Sequence, residues 1–286
     1  MVMTSPTAAP TPTSRIAPIR PARPQITLQV VRREQLSAHL VRIVLAGDEF
    51  DDFVTNDSTD KYVKIYFAKP ELGLTAPFDL TELRATLARD DLPVTRTYTV
   101  RDVDPEARTL TIDFVVHGDT GLAGPWANAA QPGDLLTLSG PGGGYAPDPA
   151  SDWHLFAGDQ SALPAIASAL TALPATASGL AFIHVPDASE VLPLETPPAV
   201  QVRWLFGDDP AILVREVDAA PWLPGRPQIF AHGERSAMKG LREVFAGRGV
   251  HKSELSLSGY WALGRTEDRF QAEKREPVGV ILPVPG

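Results

Sequence analysis

The sequence predicts a β plus α/β architecture: an antiparallel β-barrel over residues 25–144, then a smaller α/β domain over 145–286. Three observations lead there. Six short β-rich segments crowd between Gln25 and Ser139 with little helical pattern among them. The texture breaks at Gly140-Pro141-Gly142-Gly143-Gly144, followed by Pro147 and Pro149. Beyond the break, apolar strand segments alternate with helical stripes, as in a mostly parallel sheet.

The elements follow in order. Met1 to Pro24 carries six prolines among Thr, Ser and Ala, and no apolar core of the kind a secretion signal needs. It reads as a disordered tail. Ile26-Leu28-Val30 and Val41-Ile43-Leu45 alternate as half-buried strands do. Tyr62–Phe67, Thr97–Val103, Thr109–Val116 and Leu135–Leu138 complete the six, with Leu110, Ile112 and Phe114 on one face. So many short strands suit a closed barrel. After the break, Trp153–Ala157, Leu180–Val185, Gln201–Phe206 and Gln228–Ala231 read as strands. Ser161–Leu173 carries a stripe of Leu163, Ile166, Leu170 and Leu173. Arg235–Phe245 turns Met238, Leu241, Val244 and Phe245 inward and is closed by Gly247.

Composition removes several function classes. The chain has 286 residues, 43% hydrophobic and 21% charged, ordinary for a globular protein. A formal charge of −9 argues against nucleic acid and anionic membrane, which need a basic footprint. There is no run long enough to span a membrane. With no cysteine there is no disulfide, thiolate metal site, iron–sulfur cluster or cysteine nucleophile, which fits a reducing cytoplasm. The closest two of six histidines, His232 and His251, are 19 residues apart, so no metal-binding spacing exists and no metal site is expected. A monomer is expected.

Two runs carry the chemistry. Arg96-Thr97-Tyr98-Thr99-Val100-Arg101 puts a guanidinium, a phenol ring and hydroxyls on one strand. A guanidinium forks onto phosphate, and a phenol ring stacks on another flat ring. The alternative is a surface strand with ordinary alternation. His117-Gly118-Asp119-Thr120-Gly121-Leu122-Ala123-Gly124-Pro125-Trp126 is a glycine-rich turn feeding a short helix through Ala130. A helix start offers free N–H groups and the positive dipole end to an anion; the alternative is a plain loop. Taken together they suit a ligand aromatic at one end and diphosphate at the other, the shape of a flavin dinucleotide. No Gly-x-Gly-x-x-Gly follows a strand and no phosphate loop is present, so a Rossmann-type turn is not expected.

These residues resemble the siderophore-interacting proteins, flavin-dependent ferric-siderophore reductases of the ferredoxin-reductase superfamily. The resemblance runs from about Gln25 to Arg275 and rests on four motifs. They are Arg96-Thr97-Tyr98-Thr99, Asp113–Gly118 with the loop to Trp126-Ala127, Gly158-Asp159-Gln160-Ser161-Ala162-Leu163-Pro164-Ala165-Ile166, and Gly259-Tyr260-Trp261 with Gly264-Arg265-Thr266-Glu267-Asp268. The resemblance implies FAD held by Arg96, Tyr98, Thr99, Val100, Val115, His117, Gly118, Thr120, Gly121, Ala123, Gly124, Trp126, Ala127 and Trp261. Thr99 and Tyr98 would stand at the reactive ring. It implies NAD(P)H at Gly158, Asp159, Ser161, Ala162, Gly233 and Glu234, with ferredoxin as the other candidate donor. Lys64 and Arg265 are candidates for an anionic ferric siderophore, or else solvated surface cations. Trp261 either covers the flavin or packs a C-terminal strand.

The departures are specific. Gly121-Leu122-Ala123-Gly124 replaces the usual Gly-Pro-Ala-Ser, so backbone N–H groups or Thr120 must meet the phosphate. Gly158-Asp159-Gln160-Ser161 replaces Gly-Asp-Glu-Thr, and His232 stands where a small residue is usual. Ala262 and Leu263 take positions often basic in the family. No clear arginine pair for a nucleotide 2′-phosphate stands out, Arg203 and Arg235 being the candidates. Two other functions stay open: a general ferredoxin-reductase-type flavoprotein, and a siderophore-binding flavoprotein without catalysis.

Overall fold

The computed structural model describes residues 24–118 and 121–281. The expected disordered segment 1–24 therefore falls, apart from Pro24, outside the described residues, as does Thr120. The first part holds β1 (Gln25–Ser37), β2 (Leu40–Ala46), β3 (Tyr62–Phe67), α1 (Leu80–Thr86), β4 (Val94–Asp104), β5 (Thr109–Val115), α2 (Ala123–Ala129) and β6 (Leu135–Gly142). Its six strands close into a barrel in the order β1-β2-β5-β4-β3-β6, every neighbouring pair antiparallel. Pairing of β6 back onto β1, with Leu28 opposite Leu136, leaves no open edge. The inward stripe read from sequence fills the interior: Leu110, Ile112 and Phe114 are fully buried with Ile43, Leu45, Val63 and Ile65. Each such side chain contributes roughly 1.5–3 kcal/mol on leaving water. Beneath the barrel, Ala123, Ala127 and Ala130 bury the short α2, whose Trp126 ring lies 5.6 Å from Phe114.

The second part holds β7 (Trp153–Asp159), α3 (Leu163–Ala172), β8 (Ser178–Val185), β9 (Ala199–Phe206), α4 (Ala211–Ala219), β10 (Pro227–Glu234), α5 (Arg235–Gly247), β11 (Leu255–Trp261) and α6 (Glu267–Glu273). All five strands run parallel in the order β11-β10-β7-β8-β9. Two details differ from expectation. Gly247 belongs to α5, and Gly249, at φ 73°, makes the left-handed turn that only glycine takes cheaply. Helices α1, α4 and α6 and strand β11, which the sequence pattern left unassigned, complete the fold.

The sheet order sets the site. The chain moves from β7 outward to β9, then returns to the other side of β7 at β10, so the switch lies between β7 and β10. Ligands of open parallel sheets bind at the carboxyl ends beside that switch. The barrel is packed against this end. Leu40 of β2 and Tyr145 join the apolar cluster under α3, and Ser168 of α3 donates to the Arg101 carbonyl of β4 at 2.8 Å. The buried Glu190 carboxylate adds a polar tie, accepting from Ser37 Oγ at 2.5 Å and Gln160 Nε2 at 2.6 Å and pairing with His39 Nδ1 at 2.7 Å. No helix among the described residues is long and apolar enough to cross a membrane.

Candidate functional site

A cavity of about 710 Å³ lies between the barrel and the carboxyl ends of the parallel strands. Thr97, Tyr98 and Thr99 of β4 line it, together with Val115, His117 and Lys64. A second, smaller hollow of about 220 Å³ joins Arg96 to Gly121, Leu122, Ala123 and Gly124. The two sequence runs, distant along the chain, thus meet on one wall.

Local structure explains each position. Tyr98 packs on Phe114 with ring centroids 4.4 Å apart, and burial pushes its hydroxyl pKa up to about 12. The phenol therefore stays protonated as a flat, neutral face. Thr99 is buried on the cavity wall, whereas Val100 points into the barrel core. Lys64 donates to Thr97 Oγ1, and burial lowers its pKa. His117 is likewise lowered by burial, with its ring 5.9 Å from His39. Gly121, at φ 87°, has nothing within 4 Å of where a Cβ would stand, so its backbone faces open space. Among the described residues no side chain caps α2, and its first turn borders that hollow. Trp126 and Ala127 face elsewhere: Trp126 packs on Phe67 and Phe114, and Ala127 is sealed against the barrel.

Across the cavity, Asp159 at the end of β7 organises the sheet side. Its Oδ1 accepts from Ser161 N–H at 2.9 Å and Oγ–H at 2.5 Å. Its Oδ2 accepts from Glu234 N–H at 2.7 Å and from Trp261 Nε1–H at 2.8 Å. Trp261 is thereby fixed on the cavity wall, half-buried. Glu234 in turn caps α5 by accepting from Ser236 and Ala237, and its other oxygen holds Leu263 N–H at 3.1 Å. Ala162 and Gly158 pack beneath the wall and do not line it; a Cβ on Gly158 would fall 2.7 Å from His232 O. At Gly233 a Cβ would fall 2.6 Å from Asp159 Oδ2, so glycine lets the carboxylate approach.

Arg265 does not reach the cavity. With Arg235 and Arg269 it surrounds the buried Glu273, and these three guanidiniums, Arg235 foremost, hold that carboxyl down at about 2. Lys274, from the segment after α6, lines the cavity instead, near Lys64. Nothing in the local sequence marked Lys274, because it sits in a charged run without periodicity. Tyr260 and His184 also line the wall unforeseen.

His232, the departure noted above, is sealed below the site. Its Nδ1 pairs with Tyr260 OH and its Nε2 with Ser256 Oγ, both at 2.9 Å. Burial drives its pKa down to about 3, so the folded ring is neutral where the unfolded one, near 6.5, takes a proton. A depressed pKa of this kind gives stability that is complete above 6.5 and declines as pH falls toward 3. Replacing His232 by Gln is expected to flatten the urea stability profile between pH 6.5 and 4. An unchanged slope would place the pH dependence elsewhere.

Comparison with known proteins gives the site its context. Residues 29–145 match the family model of the siderophore-interacting FAD-binding domain, and residues 151–264 match that of the siderophore-interacting protein. The chain is 30% identical over 256 residues to the ferric vibriobactin reductase ViuB of Vibrio cholerae, covering 86% of this chain and 93% of that protein. It is 30% identical over 241 residues to the NADPH-dependent ferric-chelate reductase of Escherichia coli, covering 82% and 91%. Its fold superposes on the siderophore-interacting protein SipS of Aeromonas hydrophila with a TM-score of 0.75 and 30% identity, over 90% of this chain and 98% of that one. The chain belongs to the siderophore-interacting protein family.

Proposed function

We propose that this protein is an FAD-dependent ferric-siderophore reductase that takes electrons from a reduced nicotinamide dinucleotide and delivers them to a bound Fe(III) chelate. The observation that supports it is the single cavity in which Tyr98 and Thr99 face Asp159, Ser161 and Glu234, with Lys64 and Lys274 on its wall. The ferric vibriobactin reductase among its relatives agrees.

The residues fit FAD. The hollow between Arg96 and Gly121–Gly124 takes the diphosphate, met by the guanidinium and by first-turn N–H groups of α2 that no described side chain caps. Arg96 now pairs with Asp268 at 3.1 Å, but that carboxylate is 76% exposed. Such an ion pair is worth only about 0–1 kcal/mol, so a diphosphate displaces it readily. Tyr98 offers its neutral face to the ring system, and the Thr99 hydroxyl meets the ring edge. When bound, FAD supplies the redox chemistry, taking a hydride from a nicotinamide and releasing electrons singly to iron. Lys64 and Lys274 hold the anionic chelate, and the Asp159 network keeps Trp261 and the start of α5 in place. Fe(II) leaves hard oxygen donors far more easily than Fe(III).

The test is the visible spectrum of the purified protein under anaerobic conditions. NADH or NADPH should bleach a flavin absorption, and a ferric hydroxamate or catecholate complex should restore it while a Fe(II) chelator reports released iron. Bleaching without restoration would leave a flavin reductase of another kind; no flavin after soaking with FAD would remove the whole reading. Gly121→Val places a branched side chain at φ 87° and in the cradle. FAD retention after dialysis is expected to fall at least about tenfold, with far-UV circular dichroism unchanged. Retention at the wild-type level would move the diphosphate away from this turn.

A further inference from the structure

Resting on the donor reading above, we infer that the far end of the cavity selects a dinucleotide with a free adenosine 2′-hydroxyl, NADH rather than NADPH, and that Asp208 enforces the choice. The cavity continues from Tyr98 past Asp159 to the carboxyl ends of β8 and β9, where Pro186, Gly207, Asp208 and Pro210 line it. A donor with its nicotinamide against the flavin ring lays its adenosine half along these strand ends, because ligands of parallel sheets follow that edge.

The charges met there are negative. Asp208 lines the wall, is exposed, and has no hydrogen bond or ion pair with another side chain among the described residues. Asp187 follows β8, with Oδ1 taken by Ser189 N–H at 2.8 Å and its other oxygen open. Asp209 does not line the cavity, and its Oδ2 pairs with the exposed Arg215 at 2.9 Å. His184 also stands here, but its Nε2 is committed to Gly207 O at 2.7 Å.

Neither arginine that the sequence offered for a 2′-phosphate lines the cavity. Arg203 lies within β9 over the Phe182 ring and donates twice to Gln201 Oε1. Arg235 is buried against Glu273 at 2.7 Å. The lysines of the cavity, Lys64 and Lys274, belong to the barrel and the C-terminal segment, near Tyr98 and Glu267. A carboxylate accepts hydrogen bonds from a ribose diol and repels a phosphate monoester. Discrimination therefore arises from both an attraction and a repulsion.

Isothermal titration of the flavin-loaded protein with NAD⁺ and NADP⁺ tests this without turnover. NAD⁺ is expected to bind at least about tenfold tighter. Asp208→Asn should shrink that ratio at least about threefold, and Asp208→Arg should bring NADP⁺ to parity or better, with FAD content unchanged. Equal affinities in the wild type, tighter NADP⁺, or a ratio indifferent to Asp208→Asn overturn the inference. Binding of neither dinucleotide also overturns it. The reductase reading is tested separately, by mixing dithionite-reduced protein with a ferric hydroxamate complex and following flavin reoxidation.

Discussion

Asp159→Ala is expected to cost about 3–5 kcal/mol of folding stability, because one buried carboxylate serves four donors. The alanine strands Ser161 N–H, Ser161 Oγ, Glu234 N–H and Trp261 Nε1 around an apolar methyl. Each buried donor left unmade costs about 1–3 kcal/mol, and water entering from the adjoining cavity recovers part of it. Urea unfolding should show the lower midpoint with an unchanged slope, since the same surface is exposed. Asp159→Asn is the informative control: it keeps the shape and one acceptor but turns an amide toward donors. Trp261 should respond first, with a shifted fluorescence maximum as its indole loses its anchor. On the proposed function, bleaching of the flavin by the dinucleotide should slow in both variants while FAD stays bound. A wild-type midpoint in Asp159→Ala would mean that these four bonds are replaced by water at no net cost.

Phe114→Ala should destabilise the barrel by about 3–5 kcal/mol, the range for emptying a large aromatic site in a packed core. Phe114 is fully buried, 4.4 Å from the Tyr98 ring and 5.6 Å from Trp126. Removing it opens a void directly behind Tyr98, and the phenol can then sink away from the cavity wall. The consequence reaches beyond stability: FAD affinity should fall although no residue facing the cofactor has changed. Phe114→Leu fills much of the space and should cost far less, about 1–1.5 kcal/mol. Thermal unfolding measures the first effect and flavin retention the second. If Phe114→Ala lowers the melting temperature but leaves FAD retention intact, Tyr98 is held by its own strand and not by its neighbour.

Much of this was legible in the chain. Tyr62–Phe67 was readable to the residue as a strand, and Leu110-Ile112-Phe114 as an inward face, because alternation is a local property of a half-buried strand. Gly118 and Gly121 were readable as turn positions because a positive φ is a demand on residue type. The chemistry of the two runs, a flat ring with a cation on one and a glycine turn before a helix on the other, joined them to one ligand. Helix α6 and Lys274 were not legible: a seven-residue stretch among charges, with Phe270 its only large apolar residue, has no periodicity to detect.

What remained for the tertiary structure was the assignment of like residues to unlike tasks. Lys64 and Arg265 looked equivalent in sequence, yet one lines the cavity and the other neutralises Glu273 with two further arginines. Asp159 and Glu234 looked like ligand contacts; both line the cavity, and the fold also has Asp159 holding backbone and indole donors and Glu234 holding the backbone of α5 and Leu263. Local pattern determines which segments become strands and helices, since that depends on near neighbours along the chain. Which charge meets a ligand and which meets another charge depends on partners a hundred residues away, and only the closed barrel packed on the switch point of the sheet brings those partners within reach.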